Sequence, residues 1–395
     1  MCTPLIRRCL GIVALALSAG VPQAGAIEAG TPPAVVDAMA QAASPQAIAD
    51  YRRKLKEYQE ARAAFDEEAG AYWSAISEKR RGRNAKRRER QQITLDDYVL
   101  TQPPLYNGPK RPQNPEPEEK PQREPKLIPV AADLVQAAAE HFQFVPQRPA
   151  SEVEFKRAYA RYARPAGLTR EQAVRVYSFE TGGTGNYDVQ SGIEHGGKRA
   201  ISTAIGYNQL LTTNTVELLA EQGHEFVRDL TERAAAMSGP ARKAMDHKIA
   251  VLKKMVAFTL TVPDDWSAHE KLANTAQGWA VHAMVLDIDV GPMLQTHKLL
   301  TSVTFARTKG YNRPLTAAEL EMMNLTGDGT GLDMVTMPQA MREQVPTSNF
   351  FQRSGYERNP VAIRNNTVAK LLAVTDERMD YNSNKPGAKE LAAAF

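Results

Sequence analysis

The sequence predicts an all-α fold, and three observations carry the prediction. Between residues 131 and 375, Ala-rich and Leu/Met-rich amphipathic runs alternate with Gly, Pro, Asn and Asp breaks. No long alternation of β-branched residues, the mark of strands, interrupts them. Thr169-Arg-Glu-Gln172 has the spacing of a capping box, in which each end residue satisfies a free backbone N–H of the other, and it starts a helix running to Glu180. Further helices are predicted at about 131–142, 152–163, 213–222, 240–260, 268–286, 292–307, 316–323 and 359–375. A stretch of about 245 residues is one domain by length, and no internal repeat divides it.

The segments before this domain read differently. Arg7 and Arg8 precede the apolar run Leu10–Leu17, which is too short to span a bilayer, and Ala24-Gly-Ala26 supplies small residues for signal-peptidase cleavage. Residues 1–26 are therefore expected to be a signal peptide cleaved after Ala26, with 27–48 a loose leader rich in Ala and Pro. Both cysteines, Cys2 and Cys9, fall inside the segment to be removed, which leaves no disulfide, thiolate nucleophile or cysteine metal site. Residues 49–95 read as a charged helix. Leu55, Tyr58, Phe65, Ala69, Tyr72 and Ile76 form a heptad seam broken by Arg62, suited to packing on the protein's own domain or on a protein partner of the 50–90 helix. Residues 96–130 carry nine prolines from Pro103 to Pro129 and read as an extended linker. Residues 376–395 are set apart as a C-terminal tail.

Charge excludes some functions. The chain carries a net charge of +4, and losing Arg7 and Arg8 with the signal peptide brings this to +2, so no nucleic-acid partner is implied. The basic block Lys79-Arg-Arg-Gly-Arg83 and Lys86-Arg-Arg88 reads either as a contact for an anionic polymer or surface, or as a solvated helix end. Seven histidines lie scattered without paired ligand spacing, and Asp328-Gly-Thr-Gly-Leu-Asp333 lacks the spacing of a calcium loop, so neither metal nor cofactor is expected. No stretch after the signal peptide is apolar for long enough to be a transmembrane helix.

One constellation carries chemistry. Tyr177-Ser-Phe-Glu180-Thr181-Gly-Gly-Thr-Gly185 sets a carboxylate at the end of an apolar helix, before a glycine-rich break. A carboxyl pressed against Tyr177 and Phe179 loses hydration, which raises its pKa as a general acid near neutral pH requires. Downstream comes Ala204-Ile-Gly206-Tyr207-Asn208-Gln209. There Gly206 permits close backbone approach, Asn208 and Gln209 offer donors and acceptors, and Tyr207 with Tyr187 offers rings for sugar faces. Trp266 and Trp279 read as core residues first and sugar platforms second.

Glu180-Thr181 followed by Ala204-x-Gly206-x-x-Gln209 resembles the Glu-Ser … Ala-x-Gly-Leu-Met-Gln signature of soluble lytic transglycosylases, in the lysozyme-like superfamily with goose-type lysozyme. Tyr207 and Asn208 stand where that family has Leu and Met. Glu321-Met-Met-Asn324-Leu-Thr-Gly327 is similar, with a one-residue insertion, to the family's Ala-Tyr-Asn-Ala-Gly segment, with Asn324 on its Asn. The interval from Glu180 to Gln209 is longer than the family's and implies an enlarged loop at 186–199. The resemblance implies a lysozyme-like helical domain over 131–375 that cleaves the MurNAc–GlcNAc bond of peptidoglycan in the periplasm. Glu180 would be the single acid/base, and the sugar-binding side would be Thr181, Tyr187, Gly206, Tyr207, Asn208, Gln209 and Asn324. Two alternatives stay open on the residues alone. One is a hydrolytic muramidase using Asp188 or Glu194 to activate water, and the other is a catalytically silent wall-binding module.

Overall fold

Several helices in this chain begin at a side-chain cap, among them those started by Ser151, Thr169, Thr316 and Thr367. The computed structural model describes residues 44–115, 127–193 and 199–395. The signal-peptide reading, most of the leader, Pro117, Pro121, Pro125 and Glu194 lie outside those residues. The chain divides into two units. The smaller comprises residues up to Ala63 with Asn107–Gln122, and the larger comprises Ala64–Tyr106 with Arg123–Phe395. Helix α1 (Pro45–Arg88) runs through both. In the smaller unit its Tyr51 and Lys54 line a hollow with Pro109 and Pro112.

In the larger unit the helices are α2 (Ala131–Phe142), α3 (Glu152–Ala166), α4 (Arg170–Thr181), α5 (Thr212–Ala235) and α6 (Gly239–Thr259). They are followed by α7 (Trp266–Ala273), α8 (Ala276–His282), α9 (Val290–Thr308), α10 (Ala317–Thr326) and α11 (Asp328–Thr336). Short α12 (Gln339–Arg342), α13 (Arg353–Glu357) and α14 (Pro360–Arg364) precede α15 (Val368–Ser383) and α16 (Pro386–Ala394). Among the described residues β structure is limited to isolated bridges, two of which, Gln190 to Ile205 and Ile205 to Leu210, pin the long loop between α4 and α5. The fold is all-α, as the patterning predicts.

The capping box expected at the start of α4 is present: Thr169 Oγ1 accepts from Gln172 N at 3.1 Å, and Gln172 Oε1 accepts from Thr169 N at 3.1 Å. Three boundaries differ from the periodicity. The run at 268–286 breaks at Asn274, because Thr275 caps a new helix through Gly278 N. The run at 359–375 breaks after Arg364 and restarts with Thr367 as cap, then continues to Ser383. The Asp/Gly-rich stretch Asp328–Asp333, which no predicted helix covers, opens α11. There Gly331 lies against the backbone of Met323, where any side chain would collide, so this glycine serves close helix packing rather than a loop.

Three apolar clusters hold the larger unit together. The first gathers Leu134, Leu219, Phe226, Leu252, Val281 and Leu294 from α2, α5, α6, α8 and α9. The second gathers Phe155, Tyr159, Tyr177, Tyr207, Leu320 and Met323, so α4 and α10 meet in it. The third joins Tyr98, Met322, Phe350, Tyr356 and Leu371, with Trp73 of α1 packed on it. Helix α9 spans the first two clusters through Leu294 and Leu299, and α10 spans the last two through Met323 and Met322.

The seam of α1 buries Ala69 and Ile76, so the part within the larger unit packs on the protein's own domain. The chain after α1, read as the start of a linker, is docked there. Asn349 exchanges hydrogen bonds with both backbone groups of Val99, at 3.0 and 2.8 Å, and Tyr98 is buried. The residues separated above as a C-terminal tail complete α15 and form α16, whose Ala388 and Leu391 are buried in the second cluster.

Candidate functional site

Helix α4 ends with Glu180 and Thr181, and the chain leaves it through Gly182 and Gly183, both at positive φ (69° and 76°). Gly183 is required because a Cβ there would collide with the Asn382 carbonyl of α15. Tyr177, buried one turn before Glu180, donates to the Gly185 carbonyl at 2.7 Å and fixes the exit of the chain.

Glu180 is half-buried against α10. Asn324 Nδ2 donates to its Oε1 at 2.9 Å. Glu321, three residues earlier on the same helix, turns to the same side, as the i,i+3 spacing dictates, and forms a carboxyl–carboxylate hydrogen bond with Glu180. Only 1 % of Glu321 is exposed. Two carboxylates in one dry site cannot both ionise at low cost. Burial first, and the Glu180 charge second, push Glu321 well above the usual carboxylate range, so Glu321 keeps the proton and donates it to Glu180. Burial also raises Glu180, to about 7, against the opposing pull of Lys298, Arg378, Asn324 and Glu321. The pair titrates as a unit, and Glu180 is its more acidic member.

Asn324 stands between Glu180 and a polar cleft of about 450 Å³. Glu217 and Glu221 of α5, Lys298 and Ser302 of α9, and Asp328 of α11 line this cleft. Burial raises the carboxyls of Glu217 and Glu221 and lowers the Lys298 ammonium. Trp266, 46 % exposed, sits on its wall, whereas Trp279 packs on the first apolar cluster.

The sequence-predicted site residues separate into two groups. Asn324 meets Glu180. Thr181 does not present its hydroxyl to the acid, because Oγ1 donates back to the Tyr177 carbonyl at 2.8 Å. Within the Gly206–Gln209 segment, against the expectation that it faces a sugar, Gly206, Tyr207 and Asn208 are buried, and Gln209 is half-buried. Gly206 (φ 84°) lies against Gln295, with no room for a Cβ or a ligand. Tyr207 is fully buried, its ring packed on Tyr177 at 4.8 Å and its hydroxyl donating to Glu152. Asn208 is fully buried, donating through its backbone N–H to Gln295 Oε1 at 2.8 Å and through Nδ2 to the Gln295 carbonyl at 2.7 Å. Gln209 Nε2 turns back to the Gly206 carbonyl at 2.9 Å. Tyr187 is half-buried against Phe155, with ring centroids 5.0 Å apart. Asp188 faces Arg148 at 3.5 Å.

Glu321 went unassigned in the sequence although it lies in the quoted segment. Its signal was the i,i+3 spacing to Asn324 within a helix rich in Ala, Leu and Met. Lys298, Glu217 and Asp328 carried no such signal, since they come together from three helices. No protein-family model, curated protein or solved structure matches this chain.

Proposed function

We propose that the protein is a peptidoglycan lytic transglycosylase with Glu180 as its single acid/base, acting in the periplasm. The observation that carries this reading is the Glu180–Glu321–Asn324 cluster. A carboxyl raised to about 7, hydrogen-bonded to Asn324 on the wall of a polar cleft, is half-protonated at neutral pH, which suits a group that must give a proton and then take one. Glu180 protonates the oxygen linking MurNAc to GlcNAc. The substrate's own N-acetyl group stabilises the oxocarbenium-like state, and Glu180 then removes the proton from the MurNAc C6 hydroxyl, which closes a 1,6-anhydro ring.

Hydrolysis needs a second, ionised carboxylate placed across the sugar to activate water. The nearest carboxyl, Glu321, holds its proton and is bonded to Glu180 itself, which favours the non-hydrolytic course. Trp266 and the acids of the cleft suit an uncharged, hydroxyl-rich strand carrying amide groups. The test is turnover and binding together. Glu180→Gln is expected to release no soluble muropeptides while still sedimenting with purified sacculi. Unchanged release from the variant would end the assignment of Glu180, and release by neither protein with binding intact would make the chain a wall-binding module.

A further inference from the structure

The basic block at the end of α1 takes no part in this chemistry, yet it forms one wall of a second cavity. This space of about 710 Å³ lies between the last turns of α1 and the start of α11. Arg80 and Arg83 tie α1 to the body through carbonyls: Arg80 to Asn349 (3.1 Å) and Phe351 (3.0 Å), Arg83 to Asp97 (2.8 Å) and Asn349 (3.3 Å). Carbonyls satisfy donors but supply no countercharge. Among the described residues the carboxylate paired with this group is Asp333, through Arg87. Three guanidinium groups therefore share one carboxylate, and burial pushes even that carboxyl up to about 6.

Several donors stay unmatched. Arg83 is 1 % exposed, and its Nε–H, like that of Arg80, is buried with no acceptor. Burial lowers both guanidinium groups from their ordinary range, as expected of cations short of countercharge. The first turn of α11 has no side-chain cap, and its Gly329 and Thr330 line the same cavity. Arg88 and Lys309 stand exposed on its wall. Asp328 also contributes, but it accepts from Ser302 Oγ at 2.5 Å and burial raises its carboxyl, which weakens it as a countercharge.

The cavity adjoins the cleft beside Glu180, for Gly327 and Asp328 line both. We propose that this cavity binds free carboxylates of a peptide arm carried by the glycan strand lying in the cleft. The proposal rests on the glycan reading of the cleft. Planar carboxylates suit forked guanidinium donors, and each N-acetylmuramic acid residue of a strand carries its peptide on a lactyl ether, at the side of the chain.

The test is calorimetric titration of the full chain carrying Glu180→Gln, which removes turnover. The probes are a free stem-type tripeptide with its carboxylates intact, the same peptide fully amidated, a glycan oligomer stripped of peptides, and inorganic phosphate. The free-acid peptide is expected to bind about tenfold more tightly than the amide. Adding Arg88→Ala with Lys309→Ala, both exposed and outside the apolar clusters, is expected to abolish that difference while the far-ultraviolet circular dichroism is unchanged. Equal binding of acid and amide, a difference that survives the double substitution, or phosphate binding as tightly as the peptide would overturn the proposal. Peptide binding that depends on Arg88 and Lys309, with no binding of the stripped glycan, would uphold the pocket and sink the glycan reading of the cleft.

Discussion

Replacing Glu180 with Gln is expected to stabilise the protein, and to do so increasingly as pH rises. The folded carboxyl titrates at about 7, against an ordinary value of 4.5. The folded state therefore holds this proton more tightly than the unfolded chain. The stability this confers is fully present below 4.5 and is lost as pH rises through 7. Each tenfold difference in proton affinity is worth about 1.4 kcal/mol. Linkage then gives a cost to wild type of about 2 kcal/mol near pH 6 and about 3 kcal/mol near pH 8, relative to a variant with no proton to lose at position 180. Gln keeps an oxygen to accept from Asn324 Nδ2, so the hydrogen bond at 2.9 Å survives, while its amide donates toward Glu321 in place of accepting from it. Urea unfolding of both proteins at about pH 4.5, 6 and 8 reads the difference directly. Near zero at the lowest pH and about 3 kcal/mol in favour of the variant at the highest is the expected pattern. A difference that is constant with pH, or that runs the other way, would refute the assignment of a raised carboxyl to this site.

Two further outcomes follow from the same geometry. Glu321→Leu removes the donor that holds the Glu180 charge, so the loss of turnover with rising pH is expected to move upward by about one pH unit, as a hydrogen bond to a charged group is worth roughly 1.5 to 3 kcal/mol. Glu321→Gln keeps a donor and should leave that limb near 7, and a pH–rate profile of the two variants separates this positioning role from a merely structural one. Gly206→Ala forces a left-handed backbone and drives a methyl into Gln295, and should lower stability by about 2 kcal/mol on thermal unfolding; a neutral result would reopen the segment as a ligand contact.

Much of this arrangement was legible before the structure. The helices at 131–142 and at the capping box of α4 declare themselves by periodicity and by a local pair of side chains. Glu180 was legible for the same local reason, as an acid set among aromatic residues at a helix end. Asn324 was reached through a segment that also contained Glu321. The role of Glu321 depends on burial, which spacing alone does not state. Gly206–Gln209 misled because a glycine, a tyrosine and two amides suit both a sugar and a buried turn, and the partner that decides between them, Gln295, lies on a helix far along the chain. Arg83 likewise reads as a solvated charge until its ring partner Tyr98, 4.3 Å away, is in place.

A single carboxyl that cleaves a glycan without water leaves a distinctive chain end, and the products decide whether Glu180 does so. Mass spectrometry of the material released from purified peptidoglycan, by wild type and by Glu180→Gln, is the direct measurement. Fragments ending in 1,6-anhydroMurNAc, absent from the variant digest, are the predicted result. Reducing-end MurNAc would contradict it and require a second, ionised carboxylate that the Glu180–Glu321 pair does not supply.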